Sequence, residues 1–559
     1  MNRRTFLHTS AAALLSTPLL QAAAANTQPL ELPTDHRDVM RRRRKRIVVQ
    51  YDSLDALWSY WKLHRNGDAP FDRYRDAVFS YVDEPGSQID AIWWDIAGSP
   101  LESTYPSKIE PPVDHPLLQQ WLREGVDWVE QLVNETRRRK LEVFWNHRIS
   151  EVEFTHMAGG ATKKLTSQLK VEHPDWVVPA SWWPQGMWNL VSEGLREHKL
   201  TILRELVTRY DLDGIQIDFS RHIPCLAVGH QWELRGHVTE FMRMVRLMLL
   251  EVAQQRGRPL LLAAKVPQTL EGCRADGFDV KAWADQRLVD VLTLGSRSMD
   301  VAVEGIRAAV GNDVQLQPCF DDHHATDGYR YGPIEFLRGV FANHFQRGAD
   351  SVATFNWSVG TPEFCRIVGS DVGPPSHQTA YKEVGDPKSM AGKDKFFAIE
   401  RRGGYPWADG FFNRNDTAPL PQPLADGGRA AKFTLHISDA PPASDVKASL
   451  TLRCILFQTD EADVFEVRFN GIPLSVTTRD AEWKDAQVFS PQPQPASGGK
   501  GDYKVNPKQR LLRLDCAVPR EAWEIGRNEV EIHISTRAPQ RKSAVQLEKV
   551  EAHVKYGRS

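Results

Sequence analysis

The chain has 559 residues, too many for one domain by the usual limits of a single core, and its 70 Lys and Arg against 72 Asp and Glu leave a formal charge of −2. That balance excludes a global field for nucleic acid or for an anionic membrane surface, and no apolar run beyond the first 25 residues reaches membrane length. The cysteines at 225, 273, 319, 365, 454 and 516 show no CxxC or CxxH spacing, so the common zinc and redox motifs are absent and disulfide pairing stays open.

The first element is an address. Asn2-Arg3-Arg4-Thr5-Phe6-Leu7, the apolar run Ala11 to Leu20 and the small residues Ala22 to Ala25 read as a twin-arginine export signal, residues 1–25, ending in an A-x-A cleavage site. The mature protein is therefore expected to be periplasmic or secreted, with no stable membrane insertion after cleavage. The run Arg41-Arg42-Arg43-Arg44-Lys45-Arg46 stands alone just before a candidate strand. It reads as a solvated cap on the closed end of a barrel rather than as a nucleic-acid patch.

Eight short apolar runs then alternate with amphipathic stretches. The expected strands are 46–52, 91–97, 142–149, 214–219, 260–266, 288–294, 314–320 and 351–357. The stretches 117–139, 188–210, 237–256 and 334–347 have helical spacing between them. Eight strands alternating with helices predict a (β/α)8 TIM barrel over residues 46–365. An open doubly wound sheet is the competing fold, but no GxGxxG turn follows the first strand.

The fourth strand is the most informative. A helix runs into the turn Asp213-Gly214, and Gly214 to Phe219 carries Asp218 to the C-terminal end of a buried strand. Burying a carboxylate there is costly unless it is paired or faces a cleft. Asp52, Asp95, Asn146, His147, Arg148, Arg221, His222, Lys265, Asp321, Asp322, His323, His324, Asn356 and Trp357 also fall at or just past strand ends. They meet at one mouth only if the strands are parallel and closed. The group Trp176 to Trp188, with Trp182 and Trp183 adjacent, supplies flat aromatic faces of the kind that suit sugar rings.

Residues 366–428, rich in Pro and Gly, read as linker and loops. Beyond them, alternating runs at 431–437, 448–457, 464–469, 511–516 and 529–535, with the turn Asn470-Gly471, predict an antiparallel β-sandwich over 429–557. Its DVFEVRFNGIPL stretch resembles the hairpin of accessory sandwiches appended to glycosidases, which implies either sugar binding or packing against the barrel. Residues 484–502, rich in Pro, Gly and Ser, read as a loop of that domain.

The stretch DGIQIDFSRHIP, with EVFWNHRIS before it and AAKVPQTLEGCRADGFDVKAWADQRLVDVL after it, resembles glycosyl-hydrolase-like family 10 and related bacterial (β/α)8 families. The likeness covers residues 46–360 and departs from many relatives at His222 and Ile223, where an aromatic residue precedes the proline. It implies a carbohydrate substrate, with Asp218 acting on the glycosidic bond and Arg221 holding its charge. Glycoside hydrolysis requires a second carboxyl group. Asp321 or Asp322 on the seventh strand is the first candidate, Glu271 the next and Asp95 the third. Asp95, Asn146, His147, Arg148, Trp183, Arg221, His222, Lys265, His323, Asn356 and Trp357 are the candidate substrate contacts. No cofactor, metal or nucleic-acid partner is expected. Two alternatives stay open: a metal-dependent hydrolase using Asp321, Asp322, His323, His324, His222 and His147, and a catalytically inactive exported carbohydrate-binding or scaffold protein.

Overall fold

Eight parallel strands meet edge to edge and leave no open end: β1 (Ile47–Asp52), β2 (Ile89–Asp95), β3 (Glu142–Arg148), β4 (Gly214–Asp218), β5 (Leu261–Val266), β6 (Val291–Leu294), β7 (Gln315–Asp321) and β8 (Val352–Phe355). β8 pairs back onto β1, with Val352 opposite Ile47, and this closes the barrel. All eight strands expected from the sequence are present, with small shifts at their ends. The computed structural model describes residues 28–52, 54–64, 69–95, 103–113, 115–150, 154–156, 162–164, 168–180, 183–295, 298–321, 328–329, 331–358, 360–370, 372–401, 417–425, 428–441, 447–485, 488, 510–540 and 543–557. The export signal lies outside them. No helix among the described residues is long and apolar enough to cross a membrane.

Side chains alternate in direction along a strand, so every second residue faces the barrel interior. Val48, Trp93, Phe144, Ala263, Cys319, Ala353 and Phe355 form a separate buried cluster there. Trp93 stacks on Phe144 with ring centroids 4.5 Å apart. The outward set, among them Val49, Tyr51, Trp94, Ile215 and Ile217, joins the large core beneath the helices. Gly214 is required by this packing, since a Cβ there would lie 2.4 Å from the Leu261 carbonyl oxygen and 2.6 Å from the Phe144 ring. The Asp-Gly pair that opens β4 is thus a close-approach device as well as a turn.

Helix α1 (Thr34–Arg42) covers the N-terminal end of the barrel. Just past it, Arg43 donates to both carboxylate oxygens of Glu142 at 2.8 and 2.7 Å. Burial alone would raise the Glu142 carboxyl; Arg43 brings it below the ordinary value instead. The basic run therefore sits at the closed end, as its sequence position suggests.

The C-terminal part consists of two antiparallel sheets over a shared core. One joins β9 (Lys395–Ala398), β10 (Gln422–Leu424), β12 (Ala448–Phe457), β15 (Val476–Trp483), β16 (Leu511–Val518) and β18 (Val545–Tyr556); the other joins β11 (Ala431–Ile437), β13 (Val464–Phe469), β14 (Ile472–Leu474) and β17 (Gly526–Thr536). The stretch read as linker is more than loop, because β9 lies within it and pairs with β18. Phe396 of β9 packs in the barrel core and Phe397 in the sandwich core. The helix Ile334–Gln346 approaches β9 so closely that a Cβ on Gly339 would sit 2.0 Å from the Phe396 carbonyl oxygen.

Candidate active site

β4 ends in a built turn. Asp218 Oδ1 accepts the backbone N–H groups of Ser220 at 2.8 Å and Arg221 at 3.1 Å, which fixes the carboxylate and starts the turn at once. Its other oxygen, Oδ2, faces inward, 3.3 Å from Gln50 Nε2 and 3.7 Å from Lys265 Nζ. Asp218 has no solvent exposure and Lys265 only 1 %. The register explains the meeting, since Arg148, Asp218 and Lys265 are paired neighbours across β3, β4 and β5. The cation that holds Asp218 is therefore Lys265, and Arg221 contributes its backbone N–H. This corrects the expectation that the Arg221 side chain holds the charge; its guanidinium stands 6.0 Å over the Phe355 ring.

Gln50 ties this carboxylate to a second one. The same Nε2 donates to Asp95 Oδ2 at 3.1 Å, while Gln50 Oε1 accepts from Lys265 Nζ at 2.9 Å. Asp95 Oδ2 and Asp218 Oδ2 thus lie no further apart than those two bonds laid end to end, 6.4 Å. Arg148 holds Asp95 at 3.0 Å and reaches Asp52 at 2.7 Å. In a staggered barrel one layer takes a residue from every second strand. Asp95 and Asp218 share a layer with Phe355, and Gln50, Asn146, Lys265 and Cys319 form the layer beneath. Below that, Gln216 donates to Asn146 Oδ1 at 2.5 Å and accepts from Thr293 at 2.6 Å, so an amide ladder supports the charged layer from inside.

Asp321 ends β7, on the wall opposite β3. It accepts from Asn356 Nδ2 at 3.1 Å, and Asn356 adopts a left-handed backbone, φ 57°, just past β8. The buried Cys319 thiol is pushed up to about 11, first by burial; Lys265 lowers it and Asp321 and Asp218 raise it. Those three charges therefore all act on this one buried thiol. The mouth gathers Asp52, Asp95, Asp218 and Asp321 with the cations Arg148 and Lys265.

Several other expected residues are placed elsewhere. Glu271 is exposed, in the first turn of the helix Leu270–Asp276, where its charge suits the helix N-terminus. His147 falls on the outer face of β3, because alternation turns Asn146 and Arg148 inward. Trp183 is 1 % exposed and packs with Val178 and Met187, while Trp357, 6 % exposed, donates to the Phe320 carbonyl and stacks on His377 at 4.4 Å. Neither offers a free face to a sugar. His222 is buried beside the mouth with φ 58°. Asp322, His323, His324 and Trp182 lie outside the described residues. Among the described residues no three His, Cys, Asp or Glu side chains converge to hold a metal ion. Sequence reasoning overlooked Gln50 and Gln216, although both carry a signal: each stands two residues before a strand-end aspartate, in QYD and QID, and so on the same inward face.

A family model described as Glycosyl hydrolase-like 10 matches residues 83–227, which include β2, β3 and β4. No curated protein matches the chain in sequence. Among solved structures, α-L-fucosidase isoenzyme 2 from Paenibacillus thiaminolyticus is similar at 14 % identity over 64 % of this chain and 52 % of its own, with a TM-score of 0.39. The chain thus spans about half the length of that fucosidase. An α-amylase from Geobacillus thermoleovorans is similar at 12 % identity over 88 % and 99 % of the two chains, TM-score 0.36. A chitinase-like agglutinin from Robinia pseudoacacia is similar at 10 % identity over 52 % and 95 %, TM-score 0.32. The chain carries a (β/α)8 barrel, of which residues 83–227 match the glycosyl hydrolase-like model, followed by a β-sandwich.

Proposed function

We propose that this protein is an exported glycoside hydrolase that cleaves a poly- or oligosaccharide at the C-terminal mouth of its barrel. The observation that carries the reading is the bridging of Asp95 and Asp218 by one amide nitrogen of Gln50, within a barrel whose second to fourth strands match a glycosyl hydrolase-like family. Asp218, held by two backbone N–H groups, an amide and Lys265, is the carboxylate assigned to stabilise an oxocarbenium-like transition state. Asp95, clamped by Arg148, reinforces the negative potential beside it. Asp321 faces them from the opposite wall and is assigned the proton transfer to the leaving oxygen. The experiment is a screen of the purified protein against plant, algal and bacterial polysaccharides, repeated with Asp218→Asn and Asp321→Asn. Reducing ends released by the wild type and by neither variant are expected.

A second reading is favoured by one observation. Asp95, Asp218 and Asp321 all have 0 % exposure, and both oxygens of Asp218 are engaged. A barrel that only binds carbohydrate or acts as a scaffold would use such a set as internal structure. Binding of a glycan without any released ends, unchanged in Asp218→Asn, would establish that reading.

A further inference from the structure

The run Arg41 to Arg46 is resolved residue by residue at the closed end. Arg41 pairs with Asp38, Arg43 is buried on Glu142, and Arg46 pairs with Asp90 at 2.8 Å. Arg42, Arg44 and Lys45 form no ion pair among the described residues. Arg42 donates to the Asp38 carbonyl at 3.2 Å and Arg44 to the carbonyls of Arg41 and Arg43 at 3.0 and 2.8 Å. Those acceptors hold the guanidinium groups in place without cancelling their charge. Lys45 adds to the field of Arg43 at Glu142, and Lys140, exposed with a left-handed φ of 59°, brings a further cation from the approach to β3 that forms no ion pair among the described residues.

These four cations line one concavity of about 630 Å³. Its acidic lining residues are already matched, Glu142 by Arg43 and Asp213 by Arg137 at 2.8 Å and by Arg258. A neighbouring concavity of about 720 Å³ shares Arg43 and Arg44 and adds Arg37, Arg41 and Arg287; of its aspartates, Asp290 pairs with Arg246 and Asp350 with Arg307, while Asp313 remains as a counter-charge. The dipole of α1 accounts for a basic last turn and so for Arg42. It does not account for Lys45 and Lys140, which come from outside that helix.

We propose that this closed-end groove binds an anionic polysaccharide, a chain bearing carboxylate or sulfate groups at intervals. An extended polyanion matches cations spread over two adjoining hollows better than one small anion does. The larger of the lining side chains are charged; the lining aromatic ring, His36, is 1 % exposed and held on Asp290, so it offers no face to a base, and among the lining apolar side chains only Val39 is exposed, at 37 %. Both facts turn the groove away from single-stranded nucleic acid and from a bilayer. The choice of a glycan rests on the carbohydrate reading of the mouth, whereas the anion site does not.

Titration calorimetry of the full chain with polygalacturonate and dextran sulfate, with neutral dextran as control, tests this. Binding of the charged polymers alone is expected, weakening steeply between low and moderate salt. The variant Arg42→Gln/Arg44→Gln/Lys45→Gln/Lys140→Asn should lose about tenfold or more in affinity and bind with a shallower salt dependence. Arg44→Glu alone should show a smaller loss in the same direction, and Asp218→Asn should bind as the wild type does, which separates this groove from the mouth. Undiminished binding by the quadruple variant would overturn the proposal. Tighter binding of duplex DNA or of phosphatidylglycerol vesicles than of polygalacturonate would overturn the assignment of its ligand.

Discussion

Asp95 and Asp218, delivered by β2 and β4, accept hydrogen bonds from one nitrogen, Gln50 Nε2, at 3.1 and 3.3 Å. Two buried carboxylates this close repel, so the amide that joins them and the cations Arg148 and Lys265 behind them are conditions of the arrangement.

Gln50→Leu keeps the volume but removes the shared donor and the acceptor of Lys265. It should destabilise the fold by about 1–3 kcal/mol, seen as a lower urea midpoint at unchanged slope. An unchanged midpoint would show that the bridge carries no energy.

Lys265→Met leaves the Asp218 charge buried beside apolar atoms and should cost about 3–5 kcal/mol. Arg221→Ala retains the backbone N–H that Asp218 accepts, so its cost should be well below that of Lys265→Met. The two urea midpoints decide between the cations, and an equal loss in both would contradict the assignment of Lys265.

The barrel was legible because short apolar runs alternate with amphipathic stretches, and the mouth because the polar residues at or just past the ends of those runs must converge. The direction of each polar group was not. His147 and Arg148 are adjacent in sequence, and only the parity of β3 sends one outward and the other onto Asp95. Two tryptophans misled for a related reason: Trp183 and Trp188, in the group read as flat faces for sugar rings, fill interior space, which a sequence cannot tell from a sugar platform. The central sandwich strand β18 escaped notice because it is covered on both sides. Glu548, Lys549 and Glu551 are buried in it through ion pairs and hydrogen bonds, and a bulge breaks its pairing with β12, so no alternation survives.

Acid should weaken the fold through its buried histidines. Burial lowers His344 and His115 from 6.5 to about 3. Below about pH 6.5 the unfolded chain takes up protons that the folded chain refuses until about pH 3, so stability falls as pH drops through that window. Each such site contributes a slope of about 1.4 kcal/mol per pH unit there. The melting temperature is expected to decline from pH 6.5 to 4 and to decline less steeply in His344→Leu; identical slopes would remove His344 from the account.

A fragment of residues 26–425 retains β9 but lacks β18, its pairing partner, and uncovers Phe397. It should melt at least several degrees lower than the full chain and self-associate, as light scattering would show. A monomeric fragment with full-length stability would mean that the barrel with β9 does not depend on pairing with β18.

The most direct measurement is kcat, KM and melting temperature for Asp218→Asn on a polysaccharide that the wild type cleaves. The substitution keeps the acceptor for Ser220 and Arg221 but turns an amide NH2 toward Gln50 Nε2 and leaves Lys265 to Gln50 Oε1 and the Phe355 ring 4.2 Å away, so melting should fall by several degrees while the chain still folds. Turnover should fall by orders of magnitude with KM little changed, because the lost charge serves the transition state more than the bound sugar. A variant that melts far lower yet, while still folded, keeps most of its turnover would contradict the assignment of Asp218 to the chemistry.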